Sequence, residues 1–362
     1  MGLKFYINGR FLTQSITGVQ RFAREIILEL DKYLNNTDLN IEVLVPHKNN
    51  INIRYNNIKI IKCGKLGGHL WEQIELPRYS KDGLLLNLCN TGPIFKRKQF
   101  IVIHDAAVYT NPETYSKAFV FIYRMIYKII TKFSLKIFTV SDFSRKEISK
   151  YCNISSENIK IISEGKEHIL RIESSRSIID SYDLVTNQYV LAVSSLNPNK
   201  NFESILKAIE LLSESQIKVV IAGGKNNKVF KELGYSFDEN TVIQVGYVSD
   251  SELKALYENA LCFVFPSFYE GFGLPPLEAM ACECPVIVSK TSSLPEVCGE
   301  AALYINPRKP TEIAQQIRKI LSDHNLRKNL SRNSIKQSEK FTWEKGLKTI
   351  INEINNMVME QK

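Results

Sequence analysis

An α/β chain of two doubly wound domains is the fold the sequence predicts, and three observations predict it. Short apolar runs alternate with segments of helical periodicity, the pattern of parallel strands covered by helices. That pattern fills the first half, meets a charged, Ser-rich passage at 173–183, and then starts again. The chain has 362 residues, longer than one hydrophobic core usually grows. Two α/β domains facing each other across a cleft are the simplest arrangement, with the linker at 173–185.

In the first half, residues 3–7 predict a strand and 8–18 a loop. Val19, Phe22, Ile26 and Leu30 then recur at helical spacing behind Thr17, a suitable N-cap. Further strands are expected at 41–45, 84–88, 101–103 and 137–140, ending in polar Asn87, His104 and Ser141. Open α/β sheets bind ligands beyond the carboxyl ends of their strands, so these positions are expected to line a crevice. In the second half, strands are expected at 189–193, 219–222, 242–245, 261–265 and 286–288. One intervening helix opens on the capping box Ser249-x-x-Glu252.

Composition narrows the function classes. Apolar residues make up 44%, ordinary for a globular protein. No uncharged run reaches the roughly 18 apolar residues of a membrane span, and the start MGLKFYINGRF lacks a signal-peptide core. A cytoplasmic location is expected. Seven scattered cysteines suit reduced thiols filling core space; Cys282-Glu-Cys284 has no second ligand pair at zinc spacing. The net charge of +9 is concentrated at 96–150, where eleven basic residues face four acidic ones. Within 115–137, Lys117, Arg124, Lys128, Lys132 and Lys136 interleave with aromatic and aliphatic residues, the last four at a spacing of four. Such a basic amphipathic helix suits an anionic membrane surface, or equally an ordinary surface helix packed on the sheet. No nucleic-acid motif accompanies it.

The stretch FPSFYEGFGLPPLE, Phe265 to Glu278, has the composition of a site. Glycines and prolines weaken regular structure, yet here they stand between a strand and a helix start, where proline at 275 or 276 is welcome. Unpaired N–H groups at that start favour an anion such as phosphate. Gly271 and Gly273 allow a ligand to approach the backbone, and Glu278 suits a vicinal diol.

Residues 261–307, with Glu270-x7-Glu278 and Pro295-Glu296-Val297, resemble the donor-binding core of glycosyltransferase family 4. Weaker likeness extends to Thr17-Gly18-Val19-Gln20-Arg21, Ile103-His104-Asp105, Leu196-Asn197-Pro198-Asn199-Lys200-Asn201 and Phe341-Thr342-Trp343. The resemblance implies a GT-B fold with Rossmann-like domains at 1–175 (acceptor) and 185–340 (nucleotide sugar), and a C-terminal helix at 341–362 packing back on the first. It implies that Glu278 holds the ribose hydroxyls, and that Glu270, Gly271, Phe272, Gly273 and Leu274 grip the donor sugar and diphosphate. Lys200 would neutralise the leaving diphosphate, Gly18 would let the N-terminal domain close over the phosphates, and His104 would lie beside donor sugar and acceptor. Where the family commonly has an Arg before that Lys, this chain has Ser194-Ser195-Leu196, so Arg21 or Lys225 is the substitute cation to look for.

The implied function is a retaining hexosyltransferase of bacterial surface-polysaccharide assembly, O-antigen or capsule, acting on a lipid-linked glycan at the inner membrane. GDP-mannose is the first donor expected, then dTDP-rhamnose or a UDP-hexose. No Asp-x-Asp occurs, and no divalent metal is expected. Front-face displacement is the implied mechanism, with double displacement through Glu270 as the alternative. A sugar-nucleotide epimerase, a storage-polysaccharide synthase and a non-catalytic sugar-nucleotide or membrane-binding protein are the competing readings. A dinucleotide oxidoreductase would need Gly-x-Gly-x-x-Gly, which Ala222-Gly223-Gly224-Lys225 does not supply.

Overall fold

The computed structural model describes residues 4–37, 39–47, 51, 53–193, 197–212, 217–224 and 241–359. By its contacts the chain divides into two units, Met1–Glu164 with Thr342–Lys362, and Gly165–Phe341. The Ser-rich passage at 173–183 lies inside the second unit: it carries the short helix Ser177–Ser181, and the Ser175 N–H donates to the Ser251 carbonyl at 3.0 Å.

The first unit is built on seven parallel strands, β1 (Lys4–Asn8), β2 (Ile41–Pro46), β3 (Lys59–Cys63), β4 (Gly83–Asn87), β5 (Gln99–Val102), β6 (Lys136–Thr139) and β7 (Ile159–Ile161). Their order is β3-β2-β1-β4-β5-β6-β7, so the direction of winding reverses between β1 and β4. Ile7 stands opposite Val43 on one side and Leu86 on the other. Helix α1 (Gly18–Tyr33) starts where Thr17 caps it, the Thr17 N–H meeting Gln20 Oε1 at 3.3 Å. It buries the stripe Phe22, Ile26 and Leu30. Helices α2 (Lys117–Phe133) and α3 (Asp142–Cys152) cover the later strands. The C-terminal helix Trp343–Met359 belongs to this unit, with Trp343 fully buried edge-on to Phe22 at 5.9 Å between ring centres.

In the second unit six parallel strands, β8 (Tyr189–Val193), β9 (Lys218–Ala222), β10 (Val242–Gly246), β11 (Cys262–Phe265), β12 (Val286–Ser289) and β13 (Ala302–Ile305), lie in the order β10-β9-β8-β11-β12-β13. The winding reverses between β8 and β11. Helices α4 (Phe202–Glu210), α5 (Asp250–Asn259), α6 (Leu274–Ala281), α7 (Pro310–Ser322) and α8 (His324–Ser338) surround it. The Ser249–Glu252 capping box forms as expected at the start of α5.

Three strands absent from the sequence expectation, β3, β7 and β13, are all at sheet edges. In β3 and β7 lysines interrupt the apolar run, KIIKC and IKI, and β3 is largely exposed, as edge strands often are; β13 reads ALYI and is only four residues long. The place of β3 is fixed from outside, by Asp31 on α1. That carboxylate accepts the backbone N–H groups of Asn56, Asn57 and Ile58 at 2.7–3.0 Å. Among the described residues, no helix is long and apolar enough to cross a membrane.

Candidate active site

At the carboxyl ends of β8 and β11, two loops are tied together by asparagines. The turn Pro198–Lys200 ends in Asn201 at φ 56°, a left-handed geometry asparagine tolerates. Asn201 Nδ2 donates to the carbonyls of Pro266 (3.1 Å) and Pro307 (2.7 Å), and Asn199 Nδ2 donates to Tyr269 O at 2.6 Å. These latches bring Lys200 Nζ to 2.6 Å from Glu270 Oε1, with the ammonium 5.2 Å from the centre of the Phe265 ring. Both side chains remain partly accessible. An ion pair thus spans the reversal point of the second sheet, where such sheets take ligands.

The backbone from Glu270 to Gly273 is held from behind. The buried Ser293 hydroxyl lies 3.0 Å from Glu270 O and 2.7 Å from Phe272 O. Gly273 has φ 110°, and a Cβ there would come within 2.8 Å of Leu294 Cδ2, so only glycine fits. Phe272 is buried against Phe341, and Leu274 opens α6. Proline occupies the second and third helical positions, Pro275 and Pro276, one later than the sequence expectation.

Glu278, in the second turn of α6, is only 8% exposed. Its Oε1 lies 2.7 Å from His168 Nε2 and its Oε2 accepts from the Tyr257 hydroxyl at 3.1 Å. An ionised carboxylate only accepts, so Nε2 carries the proton of the His168 contact. Burial first, and the Glu278 charge second, push the Tyr257 phenol well above its usual range, which keeps it a donor. Among the described residues each oxygen thus has one side-chain partner and retains a second lone pair. His168, 2% exposed, is the residue sequence reading missed. It lies 110 positions before Glu278 and carries no local signal.

The other two expected site residues belong to the first unit. Gly18 is the first residue of α1 and exposed, and a Cβ built there meets nothing within 4 Å, so packing does not demand a glycine. His104, just beyond β5, is 4% exposed. Its Nε2 lies 2.9 Å from the Leu88 carbonyl, which makes Nε2 the protonated nitrogen, and Nδ1 is 3.9 Å from Glu164 Oε1. The Phe22 ring stands edge-on at 4.8 Å. Asn87 and Ser141, expected to line a crevice, spend their polar groups inside the fold. Asn87 Nδ2 donates to Gln99 Oε1 and Phe100 O, and Ser141 Oγ caps α3. Arg21 lies on α1; Lys225 and the segment Ser194-Ser195-Leu196 lie outside the described residues.

The basic helix differs from its sequence expectation. Helix α2 stops at Phe133, so Lys136 lies in β6 and pairs with Glu353 at 2.7 Å. Arg124 folds inward, its Nε donating to Val108 O at 2.9 Å beneath Tyr109. What remains outside is Lys117, Lys128 and Lys132 beside exposed Phe121 (68%), Ile122 and Met125. Six of the seven cysteines are buried and Cys89 is partly buried. Burial raises the thiols of Cys63 to about 11 and of Cys282 and Cys298 to about 12, which suits inert core residues.

Residues 176–337 match the family described as glycosyl transferases group 1. Over 259 residues the chain is 32% identical to the O-antigen chain mannosyltransferase B of Escherichia coli, covering 69% of this chain and 68% of that one. It is also 32% identical over 220 residues, 57% of its length, to the E. coli serotype-specific mannosyltransferase WbdA, of which it spans 27%. Among solved structures, the sucrose-phosphate synthase of Thermosynechococcus elongatus superposes with a TM-score of 0.74 over all of both chains at 15% identity. That likeness shows the two-sheet fold.

Proposed function

The chain belongs to the group 1 glycosyl transferases, and we propose that it moves a hexose, with retention of configuration, from a nucleotide sugar onto a lipid-linked bacterial surface glycan. Mannose from GDP-mannose is the first donor; the names of the E. coli relatives support both the sugar and the O-antigen class of product. The observation that carries the reading is the Lys200–Glu270 pair at the reversal of the second sheet, one helical turn and a glycine loop away from Glu278. Negative charge grows on the leaving diphosphate in the transition state, and a fixed ammonium there stabilises it. Glu270 then reads the hydroxyls of the donor sugar. Glu278, oriented by His168 and Tyr257, accepts the ribose hydroxyls through its remaining lone pairs.

In the displacement, the acceptor hydroxyl oxygen bonds to the anomeric carbon on the face from which the phosphate oxygen departs. The departing oxygen takes the hydroxyl proton. A covalent sugar adduct on Glu270, sought by mass spectrometry, would replace this course with double displacement. Protein cations and the α6 start stand in for a divalent metal: turnover retained in a chelator supports this, and a loss restored by manganese sinks it.

The deciding experiment is a thermal-shift series with GDP, UDP, dTDP and NAD, since a ligand of the native state raises the melting temperature by mass action. A shift with one nucleoside diphosphate, abolished in Glu278→Ala, is expected. No shift with any of the three, or a shift with NAD alone, overturns the reading.

A further inference from the structure

The reversal of the second sheet holds an ion pair that carries little net charge. Lys200 Nζ stands 2.6 Å from Glu270 Oε1, so beyond their immediate contact the ammonium and the carboxylate largely cancel. A departing diphosphate carries more than one negative charge, and the start of α6 offers only a partial positive one. A guanidinium suits what is missing, because its planar fork meets two phosphate oxygens at once. The segment before Lys200 where such a cation is expected, Ser194-Ser195-Leu196, has none.

Both neighbours of Lys200 lead to one. Asn201 Nδ2 and Ser204 Oγ donate to the Pro307 carbonyl at 2.7 and 3.0 Å, which anchors the turn after β13 against the Lys200 turn. Arg308 is the next residue. From the other side, the Phe268 N–H donates to Asn199 O at 2.9 Å, and the Arg308 guanidinium lies over the Phe268 ring, 5.2 Å from its centre. Arg308 is therefore tied to the residue on either side of Lys200, Asn199 and Asn201. Its own backbone N–H donates to Asn306 Oδ1 at 3.0 Å and closes the turn.

Lys200 and Arg308 use the same device. Each cation is set against a phenylalanine of the β11 loop, Phe265 and Phe268, at 5.2 Å from the ring centre. They differ in charge balance. Lys200 is neutralised by Glu270, whereas Arg308 is exposed and no carboxylate among the described residues pairs with it. A guanidinium laid on a ring gives the ring its face and keeps its N–H edge for an acceptor. The other cations of these loops lack that combination. Lys309 pairs with Glu312 at 3.2 Å, and Lys290 is exposed with its ammonium fixed by none of the described side chains.

We propose that Arg308 is the second cation of the diphosphate site: its guanidinium edge holds oxygens of the leaving diphosphate beside Lys200 and supplies the net positive charge that the Lys200–Glu270 pair lacks. The proposal rests on the glycosyl-transfer reading and adds to it a residue for the leaving group, from the loop after β13. As the bond from the anomeric carbon to the phosphate oxygen breaks, the bonding pair stays on that oxygen, and the guanidinium N–H groups stabilise the charge.

Titration calorimetry on the full chain with GDP, UDP and dTDP, each beside its monophosphate, tests this. Wild type is expected to bind one diphosphate more tightly than the matching monophosphate. Arg308→Ala then loses about tenfold in diphosphate affinity, the scale of one charge-assisted contact. Its monophosphate affinity changes far less, and its melting temperature without nucleotide stays near wild type. Arg308→Lys, which keeps the charge without the fork, recovers part of the loss. Equal losses for diphosphate and monophosphate would mean that Arg308 only braces the Phe268 loop, and would overturn the proposal. So would a diphosphate affinity unchanged in Arg308→Ala, which leaves the glycosyl-transfer reading standing. A wild type that binds none of the three diphosphates overturns that reading itself, and the role of Arg308 with it.

Discussion

Glu270 and Glu278 stand eight residues apart in different surroundings, and their substitutions separate accordingly. Glu278→Ala removes the carboxylate that His168 Nε2 and the Tyr257 hydroxyl contact, which is expected to cost about 1–3 kcal/mol of stability as well as donor affinity. Glu270→Ala breaks only a half-buried pair with Lys200, so its melting temperature stays near wild type while turnover falls strongly. Melts and steady-state kinetics on both variants check this, and equal effects of the two on kcat and donor KM would contradict the division. Gly18 gives a sharper contrast. Alanine at a helix position gains about 0.5–1 kcal/mol over glycine, and the added Cβ meets nothing within 4 Å. Gly18→Ala is therefore expected to keep or raise the melting temperature, and to raise donor KM if Gly18 meets the donor phosphates as the family resemblance implies. An unchanged KM removes Gly18 from the site. The Glu-x7-Glu spacing was legible because strand, loop and helix start are consecutive; His168 was not, because its hydrogen bond joins residues 110 positions apart.

Helix α2 shows what periodicity reveals and where it stops. A spacing of four places charges on one face only while the helix lasts, and Ser134 ends it with extended geometry at ψ 143°. Arg124 was misread for another reason: its guanidinium finds carbonyl partners at Val108 and Tyr109 that no spacing rule displays. The surface that remains is Phe121, Ile122 and Met125 among Lys117, Lys128 and Lys132, the composition that the expected contact with an anionic membrane would need. Phe121→Ser with Ile122→Ser and Met125→Ser is expected to stay within about 0.5 kcal/mol of wild type per site in stability yet lose flotation with anionic vesicles. Lys128→Glu with Lys132→Glu weakens flotation most at low salt. Flotation indifferent to anionic lipid would remove the membrane reading. Buried strands such as β8, with nearly every residue inside, announced themselves, whereas the edge strands β3, β7 and β13 depend on a neighbour to be strands at all.

Taken whole, the chain closes its first unit with its last helix. Deleting 342–362 strips away Trp343, Leu347, Ile350, Ile351 and Ile354, all buried. Each such side chain contributes roughly 1.5–3 kcal/mol of burial, and together they reach the scale of a domain's net stability, about 5–15 kcal/mol. The truncated chain is expected to lose the fold of the first unit, read as protease sensitivity within 4–164. A truncated chain with wild-type melting and protease resistance would contradict that. The net charge of +9 acts at the same scale. It favours anionic partners at low ionic strength without specifying which.

The sequence by itself determined the α/β class, the two-domain plan, the central strands and the 265–278 segment. These depend on local period and on glycine and proline geometry, which neighbours in sequence set. Only the tertiary structure decided that Glu278 is backed by His168 and Tyr257, that His104 Nε2 is committed to Leu88 O, and that Asn8, Arg10, Glu72 and His69 converge on the reversal of the first sheet. Hydrogen bonds and ion pairs depend on distance in space. Residues scattered along the chain acquire their partners only when the strands are ordered.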